Sequence, residues 1–343
     1  MRAIVFQRHG GLEVLEEAEI PKPEVGPGDV LVRVRAVALN HLDLWVRQGI
    51  PGLKLALPHV LGSDIAGVVE EVGEKVEGVQ VGQEVMVQPG ISCMRCQACL
   101  SGHDNDCPSY RIVGEHLAGG YAEYVAVPAS NVVPKPANLS FEEAAAVPLV
   151  FLTAWEMLRR KANLQPGERV LVQAAGSGVS SAAIQIAKLF GAEVIATAST
   201  EEKLAKAREL GADHTVNYTE QDLLAEVRRI VAPKRGVEVV VDHVGEATWD
   251  TSVRALANGG RLVTCGATTG YDVRVDLRHL FYRRLALLGS TMGSKGDLHR
   301  IARLIEMGKL RPVLDRTLPL SEAREAHRLL AERKAFGKVV LLP

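Results

Sequence analysis

Four of the five cysteines, Cys93, Cys96, Cys99 and Cys107, fall within fifteen residues at the spacing C-x2-C-x2-C-x7-C. Thiols this close can pair as disulfides, converge on one ion or stay free. In a reducing compartment a cluster of this kind reads as a metal site. Four thiolates suit tetrahedral Zn²⁺, with Zn–S near about 2.3 Å, and leave no open position for chemistry. The expected ion is therefore structural. It would hold a lobe whose sequence, GISCMRCQACLSGHDNDCPSY, is too polar to build its own core. Disulfides or free thiols are the alternative. His103 reads as a solvated loop residue, because Cys107 already supplies the fourth ligand. Cys265, in GRLVTCGA, reads as a small buried residue and not a nucleophile.

The chain of 343 residues is long enough for about two domains. Lys+Arg number 40 against 41 Asp+Glu, which argues against a nucleic-acid groove or an anionic-membrane patch. Aromatic residues, at 4%, are too few for a base-stacking platform. The richest apolar stretch, Ala144–Trp155, holds Pro148 and falls short of the about 18 residues a membrane span needs. The first residues, MRAIVFQRHGG, lack the apolar run of a signal peptide, so a cytoplasmic location is expected.

The first 140 residues carry short β-branched runs, Val30–Ala38, Ile65–Val72 and Glu84–Gln88 among them, separated by Gly and Pro. Such spacing predicts an antiparallel barrel-like or sandwich domain. From about Ser140 the rhythm changes. Strands at Arg169–Ala174, Glu193–Ala198, Thr215–Asn217, Val237–Asp242 and Gly260–Gly266 alternate with helices at Val179–Phe190, Glu201–Leu210, Gln221–Ile230 and Thr248–Ala257. That order predicts a parallel sheet covered on both faces. A helix near Leu298–Met307 and a strand at Lys338–Leu342 close the chain, the strand returning to the first domain. The expected boundaries are 1–140, completed by 290–343, and 141–289.

Between the first strand and helix of the second domain lies Gln173-Ala-Ala-Gly-Ser-Gly-Val-Ser-Ser181. Small residues there let backbone N–H groups approach a pyrophosphate at a helix N-terminus. Gly176, Ser177, Gly178 and Val179 are the candidate contacts; a serine stands where a third glycine is usual, so an ordinary strand–helix turn is the alternative. The next strand ends in Ala196-Thr-Ala-Ser-Thr200, without the acid that binds an NAD ribose. Ser199, Thr200 and Lys203 suit a 2′-phosphate instead, with Tyr218 assigned to the same region. NADPH is expected over NADH.

The fragments NHLDLWVRQG (40–49), LGSDIAGVVEEVG (61–73), GGYAEYVAVP (119–128), AAAVPLVFLTAW (144–155), AGSGVSSAAIQIAK (175–188) and GKVVLL (337–342), with the four cysteines, resemble the medium-chain dehydrogenase/reductase superfamily over essentially the whole chain. The resemblance implies an α/β architecture: a GroES-like antiparallel β-barrel-type domain and a Rossmann dinucleotide-binding domain with a doubly wound parallel sheet. Zinc alcohol dehydrogenases of that superfamily hold a catalytic zinc with three ligands. The matching positions here are Asn40, Ser63 and Leu149, and Asp64 replaces a glutamate. A site rebuilt from His41, His59, Asp43, Asp64 or His116 is the alternative. The N-x-x-D and G-S-D-x-A-G forms resemble the quinone oxidoreductase branch, which works without a catalytic metal.

The resemblance makes Asn40 the donor or positioner for developing negative charge, Asp43 its orienting partner and Trp45 a pocket wall. Against this, Asn40 and Asp43 can cap a turn and a helix, and Trp45 can be core. His41 and Lys338 match cofactor-phosphate contacts, and the nicotinamide is expected near Gly266 and Leu288–Met292. Three functions stand open: an NADPH-dependent reductase of quinones or α,β-unsaturated carbonyls; a zinc alcohol dehydrogenase acting on alcohols and aldehydes; and a low-turnover NADPH-binding sensor or crystallin-like protein. The partners expected are a small-molecule substrate and further copies of the chain, as a homodimer or homotetramer.

Overall fold

A computed structural model describes residues 1–233 and 235–343 and divides the chain into two compact units, Met1–Leu152 with Ser294–Pro343, and Thr153–Gly293. The first is built on the strand Asp29–Ala38, which alternates buried valines with exposed arginines at its centre. It pairs antiparallel with Asp64–Val72 and, over its first half, with Tyr124–Pro128. The wider sheet runs Val132–Pro134, Glu84–Val87, Asp64–Val72, Asp29–Ala38, Lys338–Leu342, Leu314–Pro319. Val30, Val32, Val34, Ile65, Val69, Val85, Val125 and Leu341 form part of its core.

One register brings the polar residues of this unit together. Ala38 faces Asp64 on one side and Val340 on the other. Two residues from those pairings lie Asn40, just beyond the central strand, and Lys338, at the start of the C-terminal one. Three sequence-distant residues, Asn40, Asp64 and Lys338, thus share one end of three adjacent strands. Beyond Asn40 the chain turns into the helix His41–Gln48, which ends at Gly49 with φ 102°.

The second unit holds six parallel strands in the spatial order His214–Asn217, Glu193–Ala198, Arg169–Val172, Val237–Asp242, Leu256–Thr264, Ala286–Gly289. The chain starts at the centre, winds to one edge, then crosses back and winds to the other. Right-handed crossovers in opposite directions put helices on both faces, and the reversal leaves a switch point beside Arg169–Val172 and Val237–Asp242. This is the doubly wound sheet the strand–helix rhythm implies.

The domain boundaries differ from the expected 140/141 and 289/290. The helix Phe141–Ala145 packs on the strands Asp29–Ala38 and Asp64–Val72. Leu149 N donates to Asp64 Oδ1 at 2.7 Å, which keeps the next turn with the first unit. The sequence rhythm changes where helices begin, before the chain leaves the first core. At the return, Ser290 N still bonds Thr264 O at 2.8 Å, whereas Asn138 Nδ2 donates to Ile305 O at 2.9 Å, so the helix Lys295–Glu306 belongs to the first unit. The amphipathic helix Ala323–Ala331 is an element that the sequence pattern does not single out; its buried His327 meets the Tyr121 hydroxyl at 3.2 Å.

Gly62 shows how tightly the turn ahead of Asp64 is packed. Its φ is +98°, and a Cβ there would lie 2.5 Å from Tyr121 Cδ1 and 2.8 Å from Val37 Cγ2. Strain and overpacking together make Gly62→Ala cost about 3 kcal/mol of stability. Urea unfolding of the variant should show it; an unchanged midpoint would refute this account of the turn.

Candidate active site and metal centre

Asn40 begins the helix His41–Gln48, and its amide N donates to Asp43 Oδ2 at 2.7 Å. The second Asp43 oxygen, Oδ1, accepts Gly62 N at 3.0 Å. Asp43 therefore staples the helix start to the Gly62 turn. Burial pushes its carboxyl up to about 7, opposed by the two backbone N–H groups and by Lys338. The helix-capping alternative for Asp43 is the role these contacts show.

The Asn40 side chain is held from both ends. Lys338 Nζ donates to Asn40 Oδ1 at 2.6 Å, and Asn40 Nδ2 donates to Asp64 Oδ2 at 3.0 Å. Lys338 Nζ also donates to Asp64 Oδ2 at 2.9 Å, and Asp64 Oδ1 takes the Leu149 amide. All three side chains are buried; Lys338 is 3% exposed and Asp64 0%. A buried ion pair of this kind depends on further hydrogen bonds to its atoms, which the Asn40 side chain and the Leu149 amide supply here. The contacts use one of the two hydrogens on Asn40 Nδ2 and two of the three on Lys338 Nζ.

The three positions matched to zinc ligands gather around Asp64. Asn40 touches it, Ser63 precedes it, and Leu149 reaches it through its backbone. Lys338, expected at a cofactor phosphate, has its ammonium engaged by Asn40 and Asp64. Asp64 is the common acceptor, a role its sequence context does not announce; the only local signal is its place beside Ser63. Ser63 Oγ is buried and has no hydrogen-bond partner among the described residues.

His41 and Trp45 are half-buried on the helix after Asn40, their rings 6.2 Å apart. His59 Nε2 lies 3.2 Å from Gly114 O, and His116 Nδ1 accepts Ile112 N at 3.1 Å. Asp43, Asp64, His59 and His116 thus each have partners of their own, while His41 faces the Trp45 ring. Among the described residues, one group of three or more His, Cys, Asp and Glu side chains could hold an ion, and it is Cys93, Cys96, Cys99 and Cys107.

Those four sulfurs lie within 4.8 Å of one another; Cys96 and Cys99 are 3.5 Å apart and Cys93 and Cys99 3.9 Å. Tetrahedral Zn–S bonds of about 2.3 Å require sulfurs about 3.8 Å apart. Cys93 N and Ser109 N both point at Cys107 Sγ at 3.4 Å, which favours the thiolate. Backbone N–H groups, that of Arg95 foremost, bring the Cys93 thiol down to about 6. The donor set fits zinc. Buried Lys295 ties this lobe to its unit: its amide donates to Asp104 Oδ1 at 3.0 Å and its ammonium to Gly90 O at 2.5 Å.

In the second unit the loop after Arg169–Val172 runs through Ala174, at φ 52°, into the helix Gly178–Leu189. Ser177 is its N-cap, accepting Ser180 N at 3.0 Å, so Gly176, Ser177, Gly178 and Val179 stand at a helix N-terminus on the switch point. One strand over, Ser199 and Thr200 follow Ala198, and Thr200 Oγ1 caps Lys203 N at 3.3 Å. Tyr218 is brought beside them by its amide on Ala198 O at 3.2 Å, and its side chain is exposed. The nearest acids in sequence are committed to bases of their own helix: Glu201 to Arg208 and Glu202 to Lys206. Gly266 O accepts the Thr264 hydroxyl at 3.0 Å. Cys265 is half-buried, not buried as its apolar segment suggests, and desolvation pushes its thiol up to about 12, away from the reactive thiolate.

Family models agree with both halves. The alcohol dehydrogenase GroES-like domain matches residues 26–137, and the zinc-binding dehydrogenase matches residues 178–307. A crystal structure of an NAD-dependent alcohol dehydrogenase is 58% identical with a TM-score of 0.97, covering 100% of both chains. The NAD-dependent alcohol dehydrogenase of Saccharolobus solfataricus is 37% identical, also over 100% of both chains. The quinone oxidoreductase of Pseudomonas aeruginosa is 34% identical over 100% of this chain and 99% of its own.

Removing one cysteine of the cluster should act on stability. Cys96→Ser should empty the site and lower Tm by about 5 °C, read by metal analysis and calorimetry. A wild-type protein that carries no metal and melts with the variant would refute the metal centre.

Asp43 should also leave a mark on stability against pH. Its folded pKa is raised, so the folded state holds the proton more firmly than the unfolded chain. Its contribution is full below the unfolded value of 3.8 and is lost as pH rises towards about 7. Asp43→Asn should flatten that decline while lowering stability throughout, since an amide cannot accept from both the Asn40 and Gly62 N–H groups. Unfolding free energies across that range check it; equal slopes in both proteins would remove the burial effect.

Proposed function

The chain belongs to the medium-chain dehydrogenase/reductase superfamily, among its zinc-type alcohol dehydrogenases and quinone oxidoreductase-like members, and we propose that it reduces quinones or α,β-unsaturated carbonyls with NADPH and without a catalytic metal. The observation that carries this reading is the ammonium of Lys338, 2.6 Å from Asn40 Oδ1 and 2.9 Å from Asp64 Oδ2. A metal ligated by Asn40 would compete with that ammonium for the same oxygen. Its other two ligand positions would be a serine hydroxyl and an aliphatic side chain, a donor set foreign to zinc.

NADPH supplies the hydride when bound. The protein's task is to meet negative charge as it grows on the substrate oxygen. Asn40 is suited to this because its amide cannot flip: its oxygen is committed to Lys338 and one hydrogen to Asp64, which leaves the second Nδ2 hydrogen in a fixed direction. The Lys338–Asp64 pair polarises the amide without adding net charge. Asp43 holds the Asn40 backbone and with it the register of the whole group. The four cysteines would hold one structural zinc, remote in chemistry from this network because every ligand position is filled.

For the cofactor, Ser199, Thr200, Lys203 and Tyr218 at the ends of adjacent strands, with Glu201 and Glu202 paired elsewhere, support a 2′-phosphate and hence NADPH. The names of the relatives favour a second reading, alcohol oxidation with NAD, which would need a second zinc.

A single panel separates these. Cofactor oxidation is measured with quinones, enones and aldehydes, using NADPH and NADH in turn, beside metal content per chain. The expected result is turnover of quinones or enones, NADPH preferred by at least about tenfold in kcat/KM, and one zinc. Asn40→Ala should lower kcat by about 10²-fold. Two zinc ions with aldehyde and alcohol turnover would overturn the metal-free reading, and tight cofactor binding without turnover would favour the sensor.

A further inference from the structure

Across the switch point, one imidazole meets two hydroxyls of the dinucleotide loop. His243 Nε2 lies 2.8 Å from Ser177 Oγ and 2.9 Å from Ser180 Oγ. Nothing local in the sequence marks His243, because it sits outside the glycine-rich segment, directly after the strand Val237–Asp242. We propose that His243 is a positioning residue for the cofactor: it turns the Ser177 hydroxyl so that its hydrogen is presented to a phosphate oxygen. This rests on the reading that the loop holds a nicotinamide dinucleotide.

Counting hydrogens fixes the direction. Ser180 is fully buried, and its hydroxyl donates to Gln173 O at 2.6 Å. Its oxygen can therefore only accept from His243, which makes Nε2 the protonated nitrogen. Ser177 Oγ already accepts Ser180 N at 3.0 Å and now shares the same imidazole N–H. Both its lone pairs are taken, so its own hydrogen turns away from these partners. The loop N–H groups of a helix N-terminus attract an anion at that place. Burial lowers the basicity of His243, with Asp242 opposing, and this agrees with the neutral Nε2–H form.

The turn that carries His243 is itself rigidly held. Asp242 Oδ1 accepts Val244 N at 2.8 Å and Gly245 N at 3.1 Å, and Oδ2 accepts the hydroxyls of Thr248 at 2.7 Å and Ser252 at 2.6 Å. Gln173 Nε2 donates to Ser252 Oγ at 3.0 Å, so the two sides of the switch point are joined beneath the imidazole as well. Gly245 has φ +88°, and a Cβ there would lie 2.4 Å from Gly270 O, which fixes the exit of the turn.

The test is the dissociation constant of NADPH and of NADH, by titration, for the wild type, His243→Ala, His243→Gln, Ser177→Ala and the double variant His243→Ala/Ser177→Ala. Adenosine 2′-monophosphate, which lacks the pyrophosphate, is the control. His243→Ala and Ser177→Ala should each weaken both dinucleotides by about tenfold, by the same factor for each. The double variant should be no weaker than Ser177→Ala, His243→Gln should recover most of the loss, and the control should not move. Wild-type affinity in His243→Ala, additive losses, or an equal loss with the control would each overturn the proposal. Should His243→Ala not fold, Ser177→Ala against His243→Gln decides: a loss in the first without one in the second supports it, and equal affinities refute it. A wild type that binds neither dinucleotide overturns the cofactor reading and this inference together, whereas tight wild-type binding with indifferent variants overturns the inference alone.

Discussion

The buried pair of Lys338 and Asp64, with the Asn40 amide between them, is the interaction around which the first unit is organised. Two opposite charges with almost no exposure are stable only while each keeps its partner; removing one from such a pair costs about 3–5 kcal/mol. The pair exists because the C-terminal strand returns beside Asp29–Ala38, with Val340 opposite Ala38 and Ala38 opposite Asp64. A slip of one residue in either register would send Lys338 or Asp64 to the other face of the sheet. The last strand therefore completes a site that begins with Asn40, nearly three hundred residues earlier. The apolar faces of Val339, Val340 and Leu341 fix that strand by burial, and the ion pair then specifies its alignment.

A second charge problem is solved at the cysteine lobe. Four thiolates around a divalent ion would carry a net negative charge, and buried Lys295 brings an ammonium to the same region. Its hydrogen bonds run to Gly90, ahead of Cys93, and to Asp104, beyond Cys99. The lobe is thus pinned by a residue on the helix Lys295–Glu306, from the C-terminal part of the same unit. Sulfur and ammonium stabilise a loop here, whereas the ammonium of Lys338 polarises an amide. Lysine performs two different tasks because its partners differ: backbone carbonyl and aspartate in one case, side-chain amide and aspartate in the other.

Much of this was legible in the sequence. The β-branched runs Val30–Ala38 and Ile65–Val72 marked the strands Asp29–Ala38 and Asp64–Val72 to within a residue, and apolar runs in the strand–helix rhythm marked four of the six parallel strands to within a residue or two. Cysteine spacing placed the four-sulfur cluster, since spacing of this kind is a local property. What stayed hidden is non-local. Asp64 as the hub, Lys338 as its partner and His243 as the clamp on Ser177 depend on strand register and on a crossover, neither of which is written in neighbouring residues. The boundary near residue 140 was misplaced for a related reason. A helix can open in sequence while it still packs on the sheet it has just left, as Phe141–Ala145 does.

The two halves of the candidate machinery share a principle: a hydrogen-bonding group is made useful by exhausting its alternatives. Asn40 has two acceptor–donor ends and both are occupied, so what remains is one hydrogen with a fixed direction. Ser177 has two lone pairs and both are filled, so its hydrogen is likewise aimed. In each case a residue distant in sequence supplies the constraint, Lys338 for the amide and His243 for the hydroxyl. Free side chains of these types would rotate and lose the benefit of a donor already in place before charge develops. A buried polar network is costly when half satisfied. The structure limits that cost by tying each of these groups to partners from sequence-distant residues, and leaves the open valence where an anionic group or a developing oxyanion would complete it.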